Sequence, residues 1–93
     1  MSTWYVYILR CADDTLYTGI TTDLERRVRE HNGTSRGARY TRTRRPVELV
    51  YYEESDGRAD ATRREGEIKE MTSARKRALI VGREGSGAPE EAV

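Results

Sequence analysis

The sequence predicts an α+β domain, a three-stranded antiparallel sheet flanked by helices in the order β-β-α-β-α-α. Three observations carry that expectation. Blocks rich in β-branched and aromatic residues stand at Trp4–Arg10, Thr15–Ile20 and 47–53, each bounded by turn residues. Only a short polar turn separates the first two blocks, which makes them a hairpin. A helix-start signal follows the hairpin, and a second helical stretch follows the third block.

Each element has a local reason. Trp4-Tyr5-Val6-Tyr7-Ile8-Leu9-Arg10 reads as a strand with Tyr5, Tyr7 and Leu9 on one face and Trp4, Val6 and Ile8 on the other. Ala12-Asp13-Asp14 lacks the Asn-Gly or Asp-Gly of a two-residue hairpin loop, so a three-residue loop closed by Cys11 and Thr15 is expected. That register sets Tyr7 opposite Gly19 and places Tyr17 diagonally from Tyr7 on the same face. Gly19 would then leave open surface for a close-approaching ligand. Thr22 and Glu25 have capping-box spacing and open a helix that runs to about Asn32, with Gly33 past its end. Residues 34–45 form a basic loop with room for a short helix. Pro46 leads into the third strand, Ser55-Asp56-Gly57 makes a turn, and helices follow at 58–71 and 74–81. The expected domain spans residues 1–82, and residues 83–93, made of Gly, Ser, Pro, Ala, Glu, Arg and Val, are expected to be a disordered tail.

A chain of 93 residues has room for one core and one shallow site. No apolar run approaches the roughly 18 residues of a membrane span, and no secretory signal opens the sequence. A single cysteine excludes an internal disulfide or a cysteine-cluster metal site. The expectation is a soluble cytoplasmic protein with no membrane partner; composition leaves the oligomeric state open. Net charge is only +1, yet residues 23–46 hold eight arginines against three acids. Arginine pairs bidentately with phosphate, so this segment reads either as a nucleic-acid surface or as a solvated face.

Two helices break their own pattern. Leu24 and Val28 define a core stripe whose remaining positions are Arg27 and His31. Either these two lie at the stripe's edge and reach water, or the stripe borders a cleft for an anion. In the later helix Glu65 falls between Ala61 and Ile68 on the inner face. That carboxylate is either a metal ligand or a partner for Arg27.

Taken in order, these residues resemble a known family. Tyr5-Val6-Tyr7 and Tyr17-Thr18-Gly19 resemble the paired motifs of the GIY-YIG nuclease superfamily. Thr21 to Arg27 resembles the helix after the second motif, with its arginine ten residues beyond Tyr17. His31-Asn32-Gly33, Gly37 to Arg42 and Arg44 to Val47 are similar to the small stand-alone bacterial branch, and Arg64-Glu65 with Ile68-Lys69 to its metal-site helix. The resemblance spans Trp4 to about Val81. It implies a DNA endonuclease, a phosphodiesterase using one divalent cation, Mg2+ or Mn2+. Tyr7 and Tyr17 would flank the attacking water, Arg27 would bind the scissile phosphate, Glu65 would hold the metal, and His31 would assist proton transfer or phosphate binding. Arg36, Arg39, Tyr40, Arg42, Arg44 and Arg45 would grip the nucleic-acid backbone, DNA first, with RNA left open. Few groups remain for base readout, so recognition of DNA structure is expected over sequence, with DNA repair as the setting. Ile20 stands where several members carry lysine, and no asparagine follows Glu65. These departures support a second reading, a weak or inactive nucleic-acid-binding module of the same fold.

Overall fold

The structure, a computed structural model, describes residues 3–34 and 36–87, with side chains described as far as Gly82. Seven elements follow in order: β1 (Trp4–Arg10), β2 (Leu16–Thr21), α1 (Leu24–Gly33), α2 (Arg39–Arg42), β3 (Glu48–Ser55), α3 (Arg58–Lys69) and α4 (Ser73–Gly87). The sheet is antiparallel with strand order β2-β1-β3, so the strand bearing Tyr7 lies in the middle.

The hairpin turns as the polar triplet predicts. The Cys11 N–H donates to the Thr15 carbonyl at 2.8 Å and the Asp14 N–H to the Cys11 carbonyl at 2.8 Å. Asp14 takes φ 69°, a left-handed conformation that aspartate tolerates better than most residues. The resulting register pairs Tyr7 with Gly19 on one side and with Tyr52 on the other. In β3, Tyr51 faces Ile8 while Leu49 faces Leu9, so Val50 is an extra residue and the strand carries a bulge there.

The two faces of β1 nucleate two cores. Val6 and Ile8 pack with Ala61 and Ile68 of α3, Ile80 of α4 and Tyr51. Tyr7 and Leu9 pack on the opposite face with Cys11 and Val47, covered in part by Leu24 and Val28 of α1. Thus α3 and α1 lie on opposite sides of the sheet, and the alternation of apolar residues in β1 decides which helix each tyrosine meets.

Some boundaries differ from expectation. Asp23, not Thr22, caps α1: its Oδ1 accepts from the Arg26 N–H at 3.0 Å. Gly33 is the last helical residue, and Thr34 closes the helix with its N–H on the Glu30 carbonyl. α4 continues to Gly87, so its last turn takes in residues expected in the tail; residues 88–93 lie outside the described residues.

Candidate active site

Tyr7 is the centre of the arrangement. Its neighbour across β2 has no side chain, and the ring leans into that space: a Cβ built on Gly19 would stand 2.6 Å from Tyr7 Cζ. The surface above Gly19 is therefore not open, as the strand pattern suggested, but filled by the Tyr7 phenol. Tyr17 lies on the same face, its ring centroid 6.5 Å from that of Tyr7. His31, in the last turn of α1, packs edge-on against both, at 6.0 Å from Tyr7 and 5.2 Å from Tyr17.

His31 is fully buried and held at both nitrogens. The Ala38 N–H lies 3.3 Å from Nδ1, and a backbone N–H can only donate. Nδ1 therefore carries the lone pair, and the ring proton sits on Nε2, 2.9 Å from the Tyr7 oxygen. The Thr41 hydroxyl lies 2.9 Å from Nδ1 and 2.9 Å from the Ala38 carbonyl, with one proton to share between them. Burial, reinforced by the charge of Arg27, pushes the His31 pKa down to about 4, so the imidazole is neutral. Burial also pushes the Tyr7 phenol up to about 12, although the nearby Arg27 guanidinium works the other way.

Arg27 extends from α1 with its side chain 26% exposed. Its Nη1 donates to Glu30 Oε1 at 2.8 Å and to the Arg36 carbonyl at 2.7 Å. Of the two readings for the Arg27–His31 stripe, Arg27 lies at the edge with its side chain partly exposed, while His31 goes fully inside. Glu65 is not the partner of Arg27. It lies on α3, across the sheet, with its side chain 20% exposed and Oε2 3.3 Å from Lys69 Nζ. It is near enough to raise the Tyr7 pKa slightly, the smallest of the influences on that group.

Among the described residues there is no cluster of three or more His, Cys, Asp or Glu side chains that could cage a metal. A single carboxylate still fits a hard divalent cation that keeps most of its waters and shares the substrate's phosphate. Glu65, half-buried and paired with Lys69 of its own helix, is such a donor.

The basic loop divides by use. Arg36, Arg39 and Arg42 are exposed. Arg45 is not displayed in the same way: Nε donates to the His31 carbonyl and Nη2 to the Thr34 carbonyl at 2.6 Å, satisfying the end of α1. Arg44 Nε meets Asp13 Oδ2 at 3.1 Å, Nη1 donates to the Tyr40 carbonyl at 2.9 Å, and Cζ sits 3.9 Å from the Tyr40 ring centre. Tyr40 in turn stacks on Tyr17 at 5.9 Å with 30° between the rings, and keeps 37% of its surface exposed.

Sequence reasoning passed over Glu30, Thr41 and the latch made by Asn32. Asn32 grips Val47 with both ends of its amide, Nδ2 donating to the carbonyl at 2.9 Å and Oδ1 accepting the N–H at 2.7 Å. This pair ties α1 to the start of β3. Only Glu30 had a visible signal, its i, i+3 spacing from Arg27.

Two tyrosines, an arginine and a histidine gathered on one face of a three-stranded sheet define a class that the comparisons name. The chain belongs to the GIY-YIG family, a nuclease family: the model of the GIY-YIG catalytic domain matches residues 3–78. Its nucleases generally use a divalent metal. Among its relatives, the UPF0213 protein of Desulfotalea psychrophila is 57% identical over 77 residues, covering 83% of this chain and 70% of that one. The UPF0213 protein of Natronomonas pharaonis is 53% identical over 81 residues, covering 87% and 94%. Two solution NMR structures share the fold. The UPF0213 protein of Bacillus halodurans has a TM-score of 0.55 at 40% identity over 85% of this chain and 83% of that one. A protein of E. faecalis has a TM-score of 0.58 at 35% identity over 89% and 88%. No helix among the described residues is long and apolar enough to cross a membrane.

Proposed function

We propose that the chain is a divalent-metal-dependent DNA endonuclease that hydrolyses phosphodiester bonds and selects its substrate by structure. The observation that carries this reading is the hydrogen bond between His31 Nε2 and the Tyr7 oxygen, with Tyr17 packed against both rings and Arg27 on the same helix as His31. A partly exposed guanidinium on the helix that packs over two phenols suits a phosphodiester group.

Each residue then has a task. Arg27 binds the scissile phosphate through the N–H groups that Glu30 and the Arg36 carbonyl leave free. Glu30 holds the guanidinium at its angle. The Tyr7 oxygen receives Nε2–H of His31 and lies within the influence of the Arg27 charge. With its pKa near 12, Tyr7 keeps its proton at neutral pH and donates it outward, as an orienting group. Tyr17, its ring held between His31 and Tyr40, flanks the attacking water. His31 acts through Tyr7 as a positioning residue, since it is wholly inside. Held by Glu65, Mg2+ or Mn2+ would supply charge neutralisation at the phosphate and a more acidic water. Arg36, Arg39, Arg42 and the outer edge of Tyr40 contact the backbone, which favours shape over base identity.

The test is incubation of the purified protein with plasmid and branched DNA, with Mg2+ or Mn2+ and with a chelator. Chelator-sensitive nicking, lost in Glu65→Ala while DNA binding persists, is the expected result. Cleavage by Glu65→Ala at the parent rate overturns the metal assignment. Retardation without cleavage favours the second reading, a binding module, for which Ile20 and the absence of an asparagine after Glu65 are the supporting features.

A further inference from the structure

We propose that Asp13, Arg44 and Tyr40 form a clamp that positions Tyr17, so that Arg44 acts on the reaction through Tyr17 and not as a grip on the DNA backbone. The inference rests on the nuclease reading above for its kinetic part alone.

The clamp is continuous. Asp13 belongs to the hairpin loop and is fixed by its own neighbour: Oδ1 accepts from the Thr15 N–H at 3.2 Å and from the Thr15 hydroxyl at 2.6 Å. Its other oxygen meets Arg44 Nε at 3.1 Å. The backbone repeats the link, with the Ala12 N–H on the Arg44 carbonyl at 2.9 Å. The Arg44 guanidinium covers the Tyr40 ring at 3.9 Å while donating to the Tyr40 carbonyl, so ring and backbone of Tyr40 are held by one side chain. Tyr40 then stacks on Tyr17. Tyr17 stands on an edge strand, and what lies outside it decides where its hydroxyl points.

An arginine reserved for phosphate would present its planar fork outward. Here Nε and Nη1 both have partners within the protein and the planar face lies on a ring. A cation against an aromatic face stiffens the stack, and a stiff stack holds a phenol in the narrow range of positions useful to a reacting water.

Three measurements on the whole protein decide the matter. In single-turnover cleavage at saturating branched DNA, Arg44→Ala should lower the rate by about tenfold or more, since small misplacements near reacting atoms are costly. Its DNA dissociation constant and salt slope should stay within about twofold of the parent, unlike those of a phosphate-contacting residue. Arg44→Lys, which keeps a cation for the ring and for Asp13, should recover part of the rate, and Tyr40→Leu should reproduce the Arg44→Ala loss without adding to it. In tyrosine-labelled protein without DNA, the Tyr17 ring resonances should shift in both Arg44→Ala and Tyr40→Leu, and the Tyr17–His31 contact should weaken. Should Arg44→Ala fail to fold, Arg44→Lys carries the same readouts, and Tyr40→Leu carries those of the single-turnover rate and the Tyr17 resonances. A parent rate with weakened binding and a lower salt slope in Arg44→Ala overturns the proposal. Unmoved Tyr17 resonances overturn it whether or not the parent cuts DNA, whereas a parent that never cuts, with Tyr17 resonances that do move, removes the nuclease reading and leaves the clamp standing.

Discussion

The Tyr7 phenol lies in the space above Gly19: the two residues face each other across β1 and β2, and a methyl group on Gly19 would stand 2.6 Å from Tyr7 Cζ. A glycine is required here by a close approach and not by its backbone angles. Gly19→Ala should therefore push Tyr7 off His31 and Arg27. The expected cost is about 1–3 kcal/mol of stability, the usual range for overpacking. It should appear as a lower thermal midpoint, and any phosphodiesterase activity should fall further than Tm suggests. Tyr7→Phe removes the outermost atom of the clash, so the double variant should be less destabilised than the sum of the two single changes. Additive losses would mean that Tyr7 does not occupy this space in solution.

His31 makes a prediction about pH. Its pKa in the folded chain is about 4, below the 6.5 of an unfolded histidine. Between those values the unfolded chain binds more protons than the folded one, so stability rises with pH. The contribution is fully present above about pH 6.5 and is lost as pH falls toward 4. The chain has a single histidine, so no other imidazole titrates in this window. Urea midpoints at pH 7 and pH 4.5 should differ by the equivalent of about 2–3 kcal/mol. In His31→Gln the difference should shrink, leaving only what carboxylates such as Glu30 and Asp13 contribute. A parent protein equally stable at both pH values would show that the imidazole is not held neutral by burial.

Much of this was legible in the sequence because it is local or periodic. The triplet Ala12-Asp13-Asp14 implied the loop, the loop implied the register, and the register put Tyr7 and Tyr17 on one face. The inner position of Glu65, between Ala61 and Ile68, followed from helical spacing. What stayed hidden lies in the aperiodic segment after α1. There Arg44 and Arg45 were counted with the other arginines as surface charge, yet both turn inward to carbonyls and a ring. Ala38 and Thr41 offered no sign that they would meet His31, because a loop's fold is decided by such distant partners and carries no repeating pattern. Likewise Gly19 looked like a gap, since a strand pattern shows that a side chain is missing and not which neighbour fills the space.

That division among the arginines yields the last prediction. If Arg36, Arg39 and Arg42 contact phosphate, each change to alanine should weaken binding of any DNA by a similar factor. The slope of log affinity against log salt should become shallower by about 0.9 for each contact removed from duplex DNA. Thermal stability should barely move in Arg36→Ala and Arg39→Ala, whose side chains lie on the surface. Arg45→Ala should do the reverse. It strips hydrogen bonds from the His31 and Thr34 carbonyls at the end of α1, and the charged donor makes those bonds worth about 1–2 kcal/mol together at a partly exposed site. Its signature is a lower Tm, with the salt slope unchanged for the protein that remains folded. Titrations of one labelled duplex at four salt concentrations, beside a melt of each variant, separate the two groups. A salt slope that drops in Arg45→Ala and holds in Arg39→Ala would invert the assignment, placing the phosphate contacts on the side of the loop that faces α1.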